Sequence, residues 1–287
     1  MQTDHGPTPT ALRWQGWAMT DTVIVSRPTD KVAVLTLNRP DQLNAVNAEL
    51  IAGMHGALAE LGAERSVRAI VLTGAGRAFS AGVDLNGFGE PEGSEGLTGR
   101  RMGFAVQTEM SRLILRMRDT PQPVIAAVNG PAAGMGLALS LASDLRYAAR
   151  SAVFRAAFMN LGLSNCDMGT SWLLPRLVGA SRAHEMMLTM RKVGAEEAER
   201  IGLVAAVVDD GTVLDHAVGG PAHQAGHVER PRGSRTGGDR IRGPPTDHGV
   251  RTRNLPRSRG SLPGEAPRNL PRLTPPMPRL PTDQVPD

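Results

Sequence analysis

Three short β-branched runs, each emptying into a loop of Gly, Asn or Pro, constrain how this chain can fold. They are KVAVLTL (Lys31 to Leu37), AIVLT (Ala69 to Thr73) and VIAAV (Val124 to Val128). Their length and composition fit buried strands, while Ala48 to Leu61 and Phe104 to Arg118 between them carry apolar residues at helical spacing. Strands alternating with helices call for an α/β or layered ββα architecture. In such folds ligand chemistry belongs to the loops that leave the strands.

The alternation occupies only part of the chain, and three segments are expected: 1–20, 21–218 and 219–287. The first is polar, interrupted by Pro and without periodicity, so it has no basis for fixed structure. Met19 opens a stretch that reads like a natural start followed by a strand. The residues before it are read as an upstream extension, or else as a disordered N-terminal arm. From Gly219 onward the composition changes abruptly, with 13 of the chain's 22 prolines and no Lys, Phe, Tyr or Trp. Such a segment lacks the apolar area to offset its ordering entropy and is expected to be disordered or polyproline-like.

That tail also explains the charge. The whole chain carries +4, but beyond Gly219 there are 12 arginines against six acids, which leaves 20 basic and 22 acidic residues before it. A near-neutral domain gives no ground for a nucleic-acid partner. No apolar run approaches the roughly 20 residues of a bilayer span, so no membrane partner is expected. A single cysteine, Cys166, fits a reducing cytoplasm and is read as an inert packing residue.

Two loops carry the chemistry. Val124 to Val128 leads into NGPAAGMG (Asn129 to Gly136), and the apolar run Leu137 to Ala142 follows at helical length. Small residues at a strand-to-helix turn leave backbone N–H groups facing a ligand, and the helix adds its positive dipole end. GRAFSAGVDL (Gly76 to Leu85) forms a second such turn, where Gly82 lets the chain bend and Asp84 can tie down the loop. Two loops each presenting a peptide N–H can form an oxyanion hole for an enolate or tetrahedral oxyanion, whereas either glycine pattern alone reads by default as a Rossmann-type or structural turn.

The order LNRPDQLNAVNAEL, GRAFSAGVDL, PVIAAVNGPAAGMGLALSLASDLRYAARSAVF, LPRLVGASRAHEMMLT and AEEAERIGLVAAVV resembles the crotonase (enoyl-CoA hydratase/isomerase) superfamily from about Val23 to Ala217. The resemblance implies an α/β spiral of ββα units binding a bent acyl-CoA. It places the oxyanion donors at the N–H groups of Val83 and Met135. It also runs the loop Ala81 to Asn86 beside CoA, with Ala81, Gly82, Asp84, Leu85 and Gly134 as binding positions. It implies a CoA thioester as substrate, with no further cofactor and no metal. A homotrimer or hexamer is expected if the usual C-terminal helices are intact.

Departures from the pattern narrow the reaction. Where hydratases of the family carry two glutamates, this chain has Ala138 and Phe158, which cannot activate water or deliver a proton. Asp167 falls in the position that carries an aspartate in the isomerase branch and in 4-chlorobenzoyl-CoA dehalogenase. It is read as the proton carrier, with helix N-capping as the alternative. Phe158, Met159, Met168 and Trp172, with Ala138, are expected to line an apolar acyl pocket. The dehalogenase's activating histidine is replaced by Ser111, and Glu109 is a weaker candidate for a second acid. The leading expectation is therefore enoyl-CoA isomerisation; an impaired or non-catalytic CoA-thioester binder stands beside it. The break near Val218 is read as a shifted reading frame, with an arginine-rich extension binding RNA or an acidic partner as the alternative.

Overall fold

The β-branched runs form the middle of a six-stranded sheet. The computed structural model describes residues 21–91, 93–161, 164 and 167–222. All of them fall in the unit 1–238. The expectations for 1–20, for Cys166 and for the chain beyond 222 lie outside the described residues.

Strands β1 (Val23–Thr29) and β2 (Val32–Leu37) form an antiparallel pair, followed by helix α1 (Ala48–Ala63), strand β3 (Ala69–Gly74) and helix α2 (Gly99–Asp119). Strand β4 (Val124–Val128), the short β5 (Ala132–Ala133) and helix α3 (Met135–Ala142) come next, then β6 (Leu145–Ala149) and β7 (Val153–Arg155). The chain continues through α4 (Thr170–Val178), α5 (Ala180–Thr189), β8 (Val193–Gly194), α6 (Ala195–Arg200), β9 (Ala206–Val208) and α7 (Val213–Ala217). The main sheet runs β1-β2-β3-β4-β6-β9 and is parallel from β2 onward; β5, β7 and β8 form a second, three-stranded sheet.

Strands β3 and β4 are buried along their whole length, as parallel strands covered on both faces must be. Their side chains alternate between two cores. Ile70, Leu72, Ala126 and Val128 face the larger one with α1, α2 and α3. Ala69, Val71, Ile125 and Ala127 face a smaller one closed by Val213 and Ala217 of α7 and by Ala222. Described structure thus continues past the expected boundary at 218 as far as Ala222, whose side chain is buried.

Helix α1 starts where Asn47 accepts a hydrogen bond from the Leu50 N–H at 2.9 Å. It buries Leu50, Ile51, Met54, Ala57, Leu58 and Leu61 along one stripe. Helix α2 begins at Gly99, ahead of the expected Phe104, because its first turn, GRRMG, carries no apolar spacing that could announce it. Helix α3 is anchored at its far end by the buried Arg146, which donates to the carbonyls of Ser140, Ser143 and Leu203. A cation at a helix C-terminus complements the dipole. Burial pulls the Arg146 pKa down to about 10, far enough above neutrality for the group to stay charged.

One histidine ties fold stability to pH. His55 of α1 lies half-buried against α2, and burial lowers its pKa; Glu109 opposes that shift while Arg116 and Arg112 add to it. The folded state therefore binds the His55 proton less readily than the unfolded chain does. Stability should be full above the ordinary histidine pKa of about 6.5 and decline as the pH falls through it. Thermal melting from about pH 7.5 to about pH 5.5 should show a steeper decline for the parent protein than for His55→Gln, and equal slopes would contradict this assignment.

Candidate active site

Pairing of β3 with β4, with Ile70 opposite Val124 and Leu72 opposite Ala126, brings the loops that leave their C-terminal ends side by side. Two asparagines then shape the first loop. Asn129 donates from Nδ2 to the carbonyls of Gly74 (2.9 Å) and Gly76 (3.0 Å), and its Oδ1 accepts from the Gly74 N–H (3.2 Å). Buried Asn44 donates to the carbonyls of Ala75 (2.9 Å) and Ala78 (2.8 Å), while its Oδ1 accepts from the Arg39 N–H. These side chains supply partners that a tight loop cannot supply for itself.

The loops are also bonded directly to each other. The N–H groups of Phe79 and Ser80 both donate to the Pro131 carbonyl, and the Ala133 N–H donates to the Ser80 carbonyl at 3.0 Å. Close approach depends on glycine. A Cβ on Gly136 would stand 2.2 Å from the Ser80 carbonyl oxygen. At Gly82, with φ +102, it would stand 2.9 Å from the Ala133 oxygen and 3.5 Å from the Met135 nitrogen.

This packing sets the N–H of Val83 and the N–H of Met135 on adjoining backbone. Asp84 and Val46 hold the first by a short bridge, with Val46 N–H donating to the Gly82 carbonyl and Asp84 N–H to the Val46 carbonyl. Met135 is the first residue of α3, so its N–H has no partner within the helix. Among the described residues, neither the Val83 nor the Met135 N–H has a backbone acceptor. Two unspent donors on adjoining loops, one of them at a helix N-terminus, are groups of the kind that can stabilise an anion.

The other expected site residues fall into three groups. Ala81 and Leu85 are exposed on the loop, whereas Gly82 and Asp84 are buried. The Asp84 carboxylate accepts from Arg39 at 2.8 Å and from the Asn86 N–H at 3.0 Å, so it braces the loop from inside. Ala138 and Phe158 are both buried, and the Phe158 ring lies about one van der Waals contact from the Cβ position of Gly134. Met168 is buried too, while Met159 is 45% exposed. Trp172 is 58% exposed because α4 buries Thr170, Leu174 and Val178, a stripe on its other side. The Arg176 guanidinium lies 3.1 Å from the Trp172 ring centre and donates to its carbonyl, an outward-facing cation–π pair.

Asp167 opens a 3-10 turn, Asp167–Gly169, in which Met168 has φ +52; its side chain lies outside the described atoms. The N-cap position of α4 belongs to Gly169 and not to Asp167. The turn packs against α2, α3 and α4. Ser111 of α2 contributes a contact from its hydroxyl to the Met168 sulfur at 3.7 Å. Glu109, on a different side of α2, is ion-paired with Arg112. Among the described residues no three His, Cys, Asp or Glu side chains converge as a metal site would require. No helix among them is long and apolar enough to cross a membrane.

Known proteins resemble this chain in sequence and in fold. The model of the enoyl-CoA hydratase/isomerase family matches residues 27–225. A probable enoyl-CoA hydratase of Mycobacterium tuberculosis is 47% identical over 204 residues, which cover 71% of this chain and 72% of that protein. The 1,2-epoxyphenylacetyl-CoA isomerase of Escherichia coli is 42% identical over 195 residues, 68% of this chain and 72% of the other. The crystal structure of a monofunctional enoyl-CoA isomerase from M. smegmatis superposes with a TM-score of 0.60 at 41% identity, covering 74% of this chain and 88% of that one. With a family model that matches 27–225, a range containing both loops and the Asp167 turn, and relatives of this identity and coverage, the chain belongs to the enoyl-CoA hydratase/isomerase family and has the crotonase fold.

Proposed function

We propose that this protein moves the double bond of an enoyl-CoA, with the thioester oxygen held by the N–H groups of Val83 and Met135 and the proton carried by Asp167. The supporting observation is the pair of unspent donors on loops packed through Gly82. A thioester makes the proton at C2 acidic. Asp167 removes that proton from a 3-enoyl-CoA, and the electron pair moves onto the thioester oxygen as a dienolate. Return of the same proton to C4 leaves the 2-enoyl-CoA, with all atoms balanced.

One carboxylate is enough for this sequence because no water is added. Hydration would need a group to activate water, and the positions where hydratases carry their glutamates hold buried Ala138 and Phe158. No cofactor enters the scheme, since the CoA thioester is the substrate. Exchange provides a direct test: the protein should carry solvent deuterium into C2 of a saturated acyl-CoA, and no exchange above the buffer rate would contradict the proposal. Calorimetric binding of CoA thioesters without exchange or turnover would instead support a binding protein. That second reading draws on the change in composition beyond Gly219.

A further inference from the structure

Thr170 is the first residue of α4 and is 0% exposed, and among the described residues its Oγ1 has no hydrogen-bond partner. A buried hydroxyl left unpaired is destabilising, and valine would fill the same volume without that cost. Arg27 and Gln122 also bury one unpaired atom each, but they spend their other polar atoms on Glu64 and on backbone carbonyls. Thr170 has no second polar atom. Its hydroxyl is unspent within the described protein.

The location gives that hydroxyl a use. Thr170 follows the Asp167–Gly169 turn directly, three residues after Asp167. The turn is fixed from several sides: Met168 is buried and touched by the Ser111 hydroxyl, and the Cβ position of Gly169 lies 3.8 Å from Ile114. Helix α4 packs on α3, the helix that begins with the Met135 N–H. Thr170 therefore stands directly beside the turn that carries Asp167, on a helix packed against α3.

We infer that Thr170 is a positioning residue, whose hydroxyl donates to the Asp167 carboxylate when an acyl-CoA occupies the site. The inference rests on the assignment of Asp167 as proton carrier. A hydrogen bond to the charged form orients the carboxylate and favours its ionised state. Losing it removes one hydrogen bond to a charged group, equivalent to about a ten- to hundredfold change in rate.

The test compares the full-length protein with Thr170→Val, Thr170→Ser and Asp167→Asn in 3-enoyl-CoA turnover and thermal melting. Thr170→Val should melt no lower than the parent, since it removes an unpaired polar atom. Its kcat should fall about ten- to hundredfold, with the acidic limb of kcat displaced to higher pH. Thr170→Ser should restore both. If valine at 170 does not fold, Thr170→Ala against Thr170→Ser makes the same comparison, with loss expected only for alanine. A parent-like rate and pH profile in the hydroxyl-less variant, alongside an inactive Asp167→Asn, would overturn the role of Thr170 alone. A serine variant as impaired as valine would also overturn it, by pointing to the methyl group. An active Asp167→Asn, or a parent protein without turnover, would overturn the Asp167 assignment and this inference together.

Discussion

Gly82→Ala should fold and lose about 10²–10³-fold in turnover, the loss seen when one oxyanion donor is disabled. The added methyl would sit 2.9 Å from the Ala133 carbonyl and 3.5 Å from the Met135 nitrogen, on backbone that cannot swing aside like a flexible side chain. It would also force an L side chain into φ +102, which costs about 1–3 kcal/mol. For a domain of this size, each kcal/mol corresponds to about 2–4 °C in Tm. Melting should therefore drop by several degrees while the catalytic loss is much larger. The two readouts separate a displaced donor from a damaged fold. Turnover at the parent level would remove this loop from the mechanism.

Asp167→Asn is the second change with a large expected effect. Asparagine keeps the size and polarity of the side chain but cannot accept a proton from carbon, so turnover should fall by about 10²–10⁴-fold. Binding of the CoA thioester should persist, because the Val83 and Met135 N–H groups, the proposed donors to its oxygen, are unchanged. Melting should also persist, since Gly169 and not Asp167 occupies the cap position of α4.

Much of the fold was legible in the sequence where burial is uniform. β4 coincides with its apolar run, and β2 and β3 lie within a residue of theirs, because parallel strands covered on both faces need unbroken apolar side chains. The small sheet of β5, β7 and β8 left no comparable trace, since two or three residues establish no periodicity. The two donor loops were legible as glycine-hinged turns. Their mutual packing was not, because it depends on backbone hydrogen bonds between residues far apart in sequence and on a first loop shaped by the distant side chains of Asn44 and Asn129. Arg146 had a signal that composition obscured: a charge inside LRYAA, an otherwise strand-like run, serving the end of α3. Trp172 shows how helical phase escapes a reading by residue type. A large aromatic beside the site was expected in the acyl pocket, yet helical phase turns it away from the buried stripe of α4 and under Arg176. The Asp167 turn was found through its resemblance to the family's pattern; its two successive left-handed residues, Met168 and Gly169, are not announced by local propensity.

The decisive measurement is conversion of a purified 3-enoyl-CoA to the 2-enoyl-CoA, followed by ultraviolet absorbance of the conjugated thioester, for the parent protein and Asp167→Asn side by side. The account predicts steady formation of the conjugated product by the parent and almost none by the variant, with both binding the thioester. Equal rates for the two proteins, or a parent that hydrates 2-enoyl-CoA without shifting the double bond of 3-enoyl-CoA, would contradict it.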